Sequence, residues 1–252
     1  MDTKTVQRYV DKYWDAEILP TLQDYIRIPN QSPMFDPEWK AHGYMQQAVG
    51  LVGPWMQKHM PEAKFQVLQD GDNTPVILMD VPGSGKGTVL MYGHLDKQPP
   101  FNGWRADLDP WKPVMQADGK LYGRGAADDG YAAFAAVTAV RAAKEFQISH
   151  ARIVILIECS EESGSAHLPH YLKNYGDRIG TPDLVICLDS GCGNYDQLWS
   201  TTSLRGLVVG TVKVDVLTEG VHSGMAGGIV PGPFMVVRQL FERLENAATG
   251  EV

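Results

Sequence analysis

The sequence predicts an α/β protein: a mixed, mostly parallel sheet sandwiched by helices, followed by the start of a smaller α/β domain. Three observations predict it. Arg152–Glu158 (RIVILIE) and Leu184–Leu188 (LVICL) are continuous apolar runs separated by a helix-like stretch at 165–174. Unbroken apolar strands suit a sheet interior covered on both faces, and β-α-β alternation implies parallel pairing. An Ala-rich stretch at about residues 130–146 is apolar nearly all round, as a buried helix is. After Thr202 the texture changes: Leu207–Leu217 (LVVGTVKVDVL) alternates like a strand with one solvated face, which places a boundary near residue 203.

The remaining elements follow in order. Val6, Tyr9, Val10, Tyr13, Trp14, Ile18, Leu22 and Ile26 recur at helical spacing, predicting an amphipathic helix over 4–27. A turn-rich loop at 30–37 precedes a second helix over 39–59, which stops near Pro61. Short strands follow at Phe65–Leu68, Pro75–Asp80 and Thr88–Tyr92. The connection Pro82–Gly87 (PGSGKG) contains a Gly-Lys pair but lacks the first glycine of a phosphate-binding loop, and it joins strand to strand, so a hairpin turn is expected. Residues 98–120, rich in Pro, Trp and Asp, read as loop, and the chain's last helix is expected over 231–246.

A chain of 252 residues with 44% hydrophobic residues can bury a substantial core, here divided as 1–203 and 204–252. The net charge of −8, with no block of Lys or Arg, argues against a nucleic-acid partner. No run approaches the roughly 18 apolar residues a bilayer span needs. The N-terminus is charged and helix-like, unlike a signal peptide. Cys159, Cys187 and Cys192 show no CxxC spacing, which suits reduced thiols in the cytoplasm.

The chemistry gathers where strands end. Thr88–Gly93 leads into His94-Leu-Asp96; RIVILIE leads into Cys159-Ser-Glu161-Glu162; LVICL leads into Asp189; Asp128-Asp129 stands in a Gly-flanked loop before the Ala-rich helix. Sites in open α/β sheets form at the carboxyl ends of strands. Each cluster alone has a bland reading: a helix cap for Asp128-Asp129, a solvated pair for Glu161-Glu162, a loop turn for Asp189. Their recurrence at equivalent positions outweighs those readings. Carboxylates crowded together repel unless a cation joins them, and carboxylate plus imidazole suits Zn²⁺ or Mn²⁺. In an extended His-x-Asp, both side chains face one way, so Asp96 can orient the imidazole while its other nitrogen binds metal. Adjacent glutamates in an extended segment point apart, so one can ligate while the other serves as general base.

The ordered set His94-Leu-Asp96, Asp118-Gly-Lys-Leu-Tyr-Gly-Arg-Gly-Ala-Ala-Asp128-Asp129, Glu161-Glu162-Ser-Gly and Asp189-Ser-Gly resembles the M20 metallopeptidases. That family includes carnosinase-type dipeptidases, glutamate carboxypeptidases, aminoacylases and desuccinylases. The resemblance implies a zinc-exopeptidase-type sheet and two divalent metal ions, zinc or, alternatively, manganese. It implies metal ligands His94, Asp128 (bridging), Glu162 and Asp189, with Asp96 orienting His94 and a cis peptide at Asp128–Asp129. It implies hydrolysis of an amide in a dipeptide or N-acyl amino acid by metal-activated water, with Glu161 as general base; Asp189, rather than Glu, favours peptides. Residues 204–252 resemble the first part of the family's lid, through which it forms homodimers. There Val221-His222-Ser223-Gly224 matches the motif whose His stabilises the oxyanion in the partner subunit's site. The sequence departs in having Gly130-Tyr131 where Lys-Gly is usual. A last His ligand and substrate-carboxylate binders are expected beyond residue 252, so the chain is expected to be part of a longer enzyme and to hold one metal better than the other, or neither. The alternatives are a deacylase or desuccinylase of the same family, or a non-catalytic chain acting as a binding or assembly module. A cysteine hydrolase is disfavoured because no motif ties a His to Cys159 or Cys192.

Overall fold

The computed structural model describes residues 2–252. The chain forms two compact units, Met1–Trp199 and Ser200–Val252.

In the first unit, helix α1 (Thr3–Tyr13) starts on Asp2, whose carboxylate accepts the Lys4 N–H at 3.1 Å. It passes through a π-helical turn, Trp14–Ile18, into α2 (Leu19–Ile26). The second expected helix is two: α3 (Trp39–His42) and α4 (Tyr44–His59). Gly43 between them adopts φ +69°, a left-handed conformation that favours glycine. Strands β1 (Lys64–Leu68), β2 (Val76–Val81) and β3 (Thr88–His94) follow, then a two-strand ribbon of β4 (Val114–Met115), within the expected loop, and β5 (Leu121–Tyr122), just past it. Helix α5 (Tyr131–Glu145), β6 (Arg152–Glu158), α6 (Leu168–Ile179) and β7 (Leu184–Cys187) complete the unit.

The main sheet runs β1-β2-β6-β3-β7, antiparallel across its first two pairings and parallel across the last two. Alternation along β6 explains the sandwich. Ile153, Ile155 and Ile157 join Ile77 and Met79 against Tyr13, Val52, Met56, Phe134 and Val137 of the helical layer. Val154 and Leu156 face the other way, with Val76 and Leu78, against Tyr171 and Ile179 of α6.

Two expectations about this sheet need correction. Pro82–Gly87 is no hairpin: β6 lies between β2 and β3, so the connection crosses the start of β6. Gly85 N–H bonds the His150 carbonyl at 2.9 Å, and a Cβ on Gly83 would stand 2.2 Å from the Ala151 oxygen. The glycines serve that crossing. The second correction concerns β7, whose apolar run suggested a sheet interior; it is an edge strand with Leu184 and Val185 exposed. Period-2 reasoning cannot distinguish an edge from a centre when a run is short.

Lys97 is fully buried. Its Nζ donates to the carbonyls of Tyr25 (2.8 Å), Ile26 (3.3 Å) and Ile28 (2.7 Å), and lies 4.0 Å from the Tyr25 ring centroid. Burial pulls its pKa down, while the end of α2 and a π face replace the water its ammonium gives up.

The second unit contains α7 (Ser223–Ala226) and α8 (Pro233–Phe241). The strand expected at 207–217 does not form: no described segment pairs with it, and an alternating pattern becomes a strand only against a hydrogen-bonding neighbour. Leu207, Val208 and Val209 stand exposed instead. The helix expected over 231–246 is shorter, ending at Phe241.

Candidate metal centre

Four segments deliver the site. Strand β3 ends in His94, fully buried, followed by Leu95 and Asp96. Tyr25 Oη (2.6 Å) and Asn30 Nδ2 (2.6 Å) both donate to the Leu95 carbonyl, fixing the backbone between the two functional residues. The irregular turn Ala126–Gly130 before α5 carries Asp128 and Asp129, whose shared peptide bond is cis, as the resemblance implies. Glu161 and Glu162 follow β6, and Asp189 follows β7.

The structure brings His94, Asp96, Asp128, Glu161, Glu162 and Asp189 together. His94 Nδ1 lies 3.0 Å from the Asp96 carbonyl oxygen. A carbonyl can only accept, so Nδ1 carries the ring proton and Nε2 presents its lone pair. That Nε2 is buried with no hydrogen-bond partner. It faces Asp128 Oδ1 at 3.3 Å, Asp189 Oδ2 at 3.6 Å and Glu161 Oε2 at 3.8 Å. Two ligands about 2.1 Å from one tetrahedral zinc lie roughly 3.4 Å apart, so these spacings suit donors around an ion better than hydrogen bonds. Two overlapping sets could hold a metal: His94, Glu161 and Asp189; and His94, Asp128 and Glu162. Glu162 Oε1 is also buried without a partner.

The electrostatics agree. Burial alone would lower the His94 pKa, but the Asp128, Asp189 and Asp96 carboxylates beside the ring raise it well above the usual imidazole value. The surrounding carboxylates demand positive charge at Nε2, whether a proton or a metal ion. Burial pushes Glu162 up to about 7 against the opposing hydrogen bond from Gln98, and raises Glu161 as well. Asp128 moves the other way, held down by the His94 ring beside it. Glu161 and Glu162 are thus short of a cation to keep them ionised, as a divalent ion would.

Asp96 acts more widely than the His-x-Asp pattern suggests. Its carboxylate sits 3.5 Å from His94 Nδ1, while its two oxygens accept the backbone N–H groups of Glu161 (3.1 Å) and Glu162 (2.9 Å). The glutamates lie on a 3₁₀ turn, Glu161–Ser163, not in the extended segment expected. They still diverge, one into each potential metal set.

Three contributors escaped sequence reading. Asp129 is fully buried; its Oδ2 accepts the His94 N–H at 3.1 Å, and burial pushes its pKa up to about 8. Its signal lies in the Asp-Asp pair, of which only Asp128 is given a role from sequence. Gln98 donates to Glu162 Oε2 from the loop just past Asp96. Tyr131, at the departure from the family pattern, donates through its hydroxyl to the Leu188 carbonyl beside Asp189. Gly130 before it admits no side chain, since a Cβ would meet the Tyr25 ring at 2.2 Å.

His222 lies in the second unit, exposed, at the start of α7. Its Nδ1 accepts the Gly224 N–H at 3.1 Å, so the ring proton sits on Nε2.

Residues 90–224 match the model of peptidase family M20/M25/M40. The chain belongs to that family. It is 31% identical over 245 residues to a human protein described as Beta-Ala-His dipeptidase, covering 90% of this chain and 46% of the relative. It is 30% identical over 189 residues to the Saccharomyces cerevisiae Cys-Gly metallodipeptidase DUG1, covering 69% of this chain and 37% of that relative. The crystal structure of human carnosine dipeptidase 1 superposes with a TM-score of 0.64 at 25% identity, covering 99% of this chain and 53% of that one. The chain spans about half the length of the curated relatives it matches. No helix among the described residues is long and apolar enough to cross a membrane.

Proposed function

We propose that the chain carries the metal-binding half of a metallo-dipeptidase, with zinc as the resident ion and manganese able to replace it. The observation that carries this reading is the buried, unpartnered His94 Nε2 aimed at three carboxylates. His94, Asp128, Glu162 and Asp189 would hold the ions. When bound, they would supply Lewis acidity at the scissile carbonyl and make a water acidic enough to attack.

The residues divide the remaining work. Glu161 is read as the general base that takes the water's proton and returns it to the leaving amine. Its raised pKa, from burial, suits a group that must both accept and give. Asp96 holds the His94 ring through its own backbone carbonyl and the glutamate turn through its carboxylate. His222 is read as the donor to the developing oxyanion. Its support is the Val221–Gly224 motif and an Nε2 that bears a proton, with the second unit as the first part of a dimerising lid.

Hydrolysis is tested with β-Ala-His and Cys-Gly dipeptides and with N-acetyl amino acids, each with added Zn²⁺ or Mn²⁺. Glu161→Gln should reduce dipeptide turnover at least 10²-fold, within the usual range for a lost general base, and leave the bound metal in place. Cleavage of acyl amino acids alone would move the reading to a deacylase; undiminished turnover in the variant would remove Glu161 from its role.

A further inference from the structure

Beneath the glutamate turn lies a second acid that the proposed reaction does not use. Glu158, the last residue of β6, is 1% exposed. Its carboxyl group takes three hydroxyl hydrogen bonds. Oε1 accepts from Tyr92 Oη (2.7 Å) and Ser165 Oγ (2.7 Å), and Oε2 accepts from Ser160 Oγ (3.0 Å). Ser160 and Ser165 bracket the turn that bears Glu161 and Glu162. The two serines also meet directly, Ser165 N–H bonding the Ser160 carbonyl at 2.9 Å.

Ser165 has φ +52°, a left-handed backbone that a non-glycine residue rarely adopts and keeps only where surrounding contacts over-determine it. The hydroxyl bond to Glu158 is one of those contacts. Ser163, inside the loop, is tied from outside, its Oγ meeting Ser32 Oγ at 2.5 Å and the Met34 N–H at 2.9 Å. Asp96 grips the turn by its N–H groups from the metal side. Glu158 grips its two ends from the sheet side.

We propose that Glu158 is a positioning residue: through Ser160 and Ser165 it sets where the Glu161 and Glu162 carboxyls stand, and so tunes the metal centre from outside it. The metal consequence rests on the functional reading above; the anchoring of the turn does not. A carboxyl suits the task because its two oxygens can accept from three donors at once, whereas an amide offers one accepting oxygen. Groups that support metal ligands without touching the metal typically change affinity 10–100-fold when lost.

The test uses the whole chain and three variants. Glu158→Ala leaves no acceptor, and Ser160→Ala with Ser165→Ala removes both hooks from the turn while keeping the carboxyl. Glu158→Gln keeps part of the network. Zinc affinity by chelator competition should fall about 10-fold in the first two and by less in the third. Amide hydrogen exchange at 161–165, read without metal, should accelerate in the same order, while exchange at Ile153–Ile157 stays slow. Should Glu158→Ala fail to fold, the serine pair carries the test alone. A folded serine pair with unchanged exchange at 161–165 would overturn the anchor. Altered exchange with unchanged zinc affinity would overturn its link to the metal. If the wild-type chain takes up no zinc, the metal reading fails, and with it that link, while exchange still decides the anchor.

Discussion

Tyr131 shows how one hydroxyl can matter at a candidate metal centre it does not touch. Leu188, just ahead of Asp189, is held on both sides: its N–H bonds the Tyr92 carbonyl at 3.1 Å and its carbonyl takes the Tyr131 hydroxyl. Tyr131→Phe keeps the ring and deletes the hydroxyl. It should cost about 1 kcal/mol of stability and loosen zinc several-fold, at the lower end for a supporting group. Unchanged affinity by chelator competition would show that the Leu188 bond does not position Asp189. Lys97 is the stability counterpart. Lys97→Met fills similar volume but removes the ammonium from three carbonyls at the end of α2, of which Tyr25 keeps the Ile28 N–H, and unfolding in urea should show a loss of about 3 kcal/mol. A loss below about 1 kcal/mol would mean those carbonyls find other partners. Neither residue could have been found from sequence. A lysine's burial leaves no periodic trace, and Tyr131 registers only as a departure from a motif. The clustered site residues were legible because His94, Glu161, Glu162 and Asp189 each follow an apolar strand and Asp128 stands in a Gly-flanked loop before a helix, patterns that survive without knowing the contacts.

At the scale of elements, legibility followed the strength of the hydrophobic period. The amphipathic N-terminal segment and the Ala-rich α5 emerged where expected because long periodic runs average over local detail. The crossing over β6 did not, because two strands joined by a glycine-rich link look alike whether they pair directly or flank a third. The link can be tested. Gly83→Ala would drive a methyl into the Ala151 carbonyl, a backbone atom at the start of β6 with little freedom to yield. Thermal unfolding should show a destabilisation of about 2 kcal/mol, in the range for overpacking. Gly50→Ala, inside α4 with open space around it, should be neutral or stabilising, as removing a helical glycine usually is. Equal effects at the two positions would mean that the crossing is looser than its geometry implies. The strand expected at 207–217 failed for the opposite reason: its pattern was clear, but a strand is a property of two segments and the pattern describes one.

For the whole molecule, the two units differ in what holds them. The first has helices and α6 on opposite faces of a sheet, with a continuous buried core. In the second, Ser200–Val252, no residue is buried, and large apolar side chains such as Phe234 and Val208 face solvent. Burial of apolar area supplies most of a domain's stability, so the second unit should open at far lower free energy than the first. Zinc should widen the gap. An ion that binds only the folded first unit stabilises it by mass action, about 2.7 kcal/mol at a free concentration of 100 times its dissociation constant. Both three-ligand sets include His94, whose Nε2 faces Asp128, Glu161 and Asp189, so one ion should bind tightly and a second much more weakly. Limited trypsin digestion with and without one equivalent of Zn²⁺ reads all of this together. Cleavage should begin at Arg205 and Lys213 in either condition and leave a fragment of about 200 residues, the size of the first unit. Zinc should protect that fragment against later cuts and leave the rate of the early ones unchanged. Equal tight uptake of two ions would contradict the shared His94. Zinc-dependent protection at Arg205 would mean that the second unit depends on the metal centre for its stability.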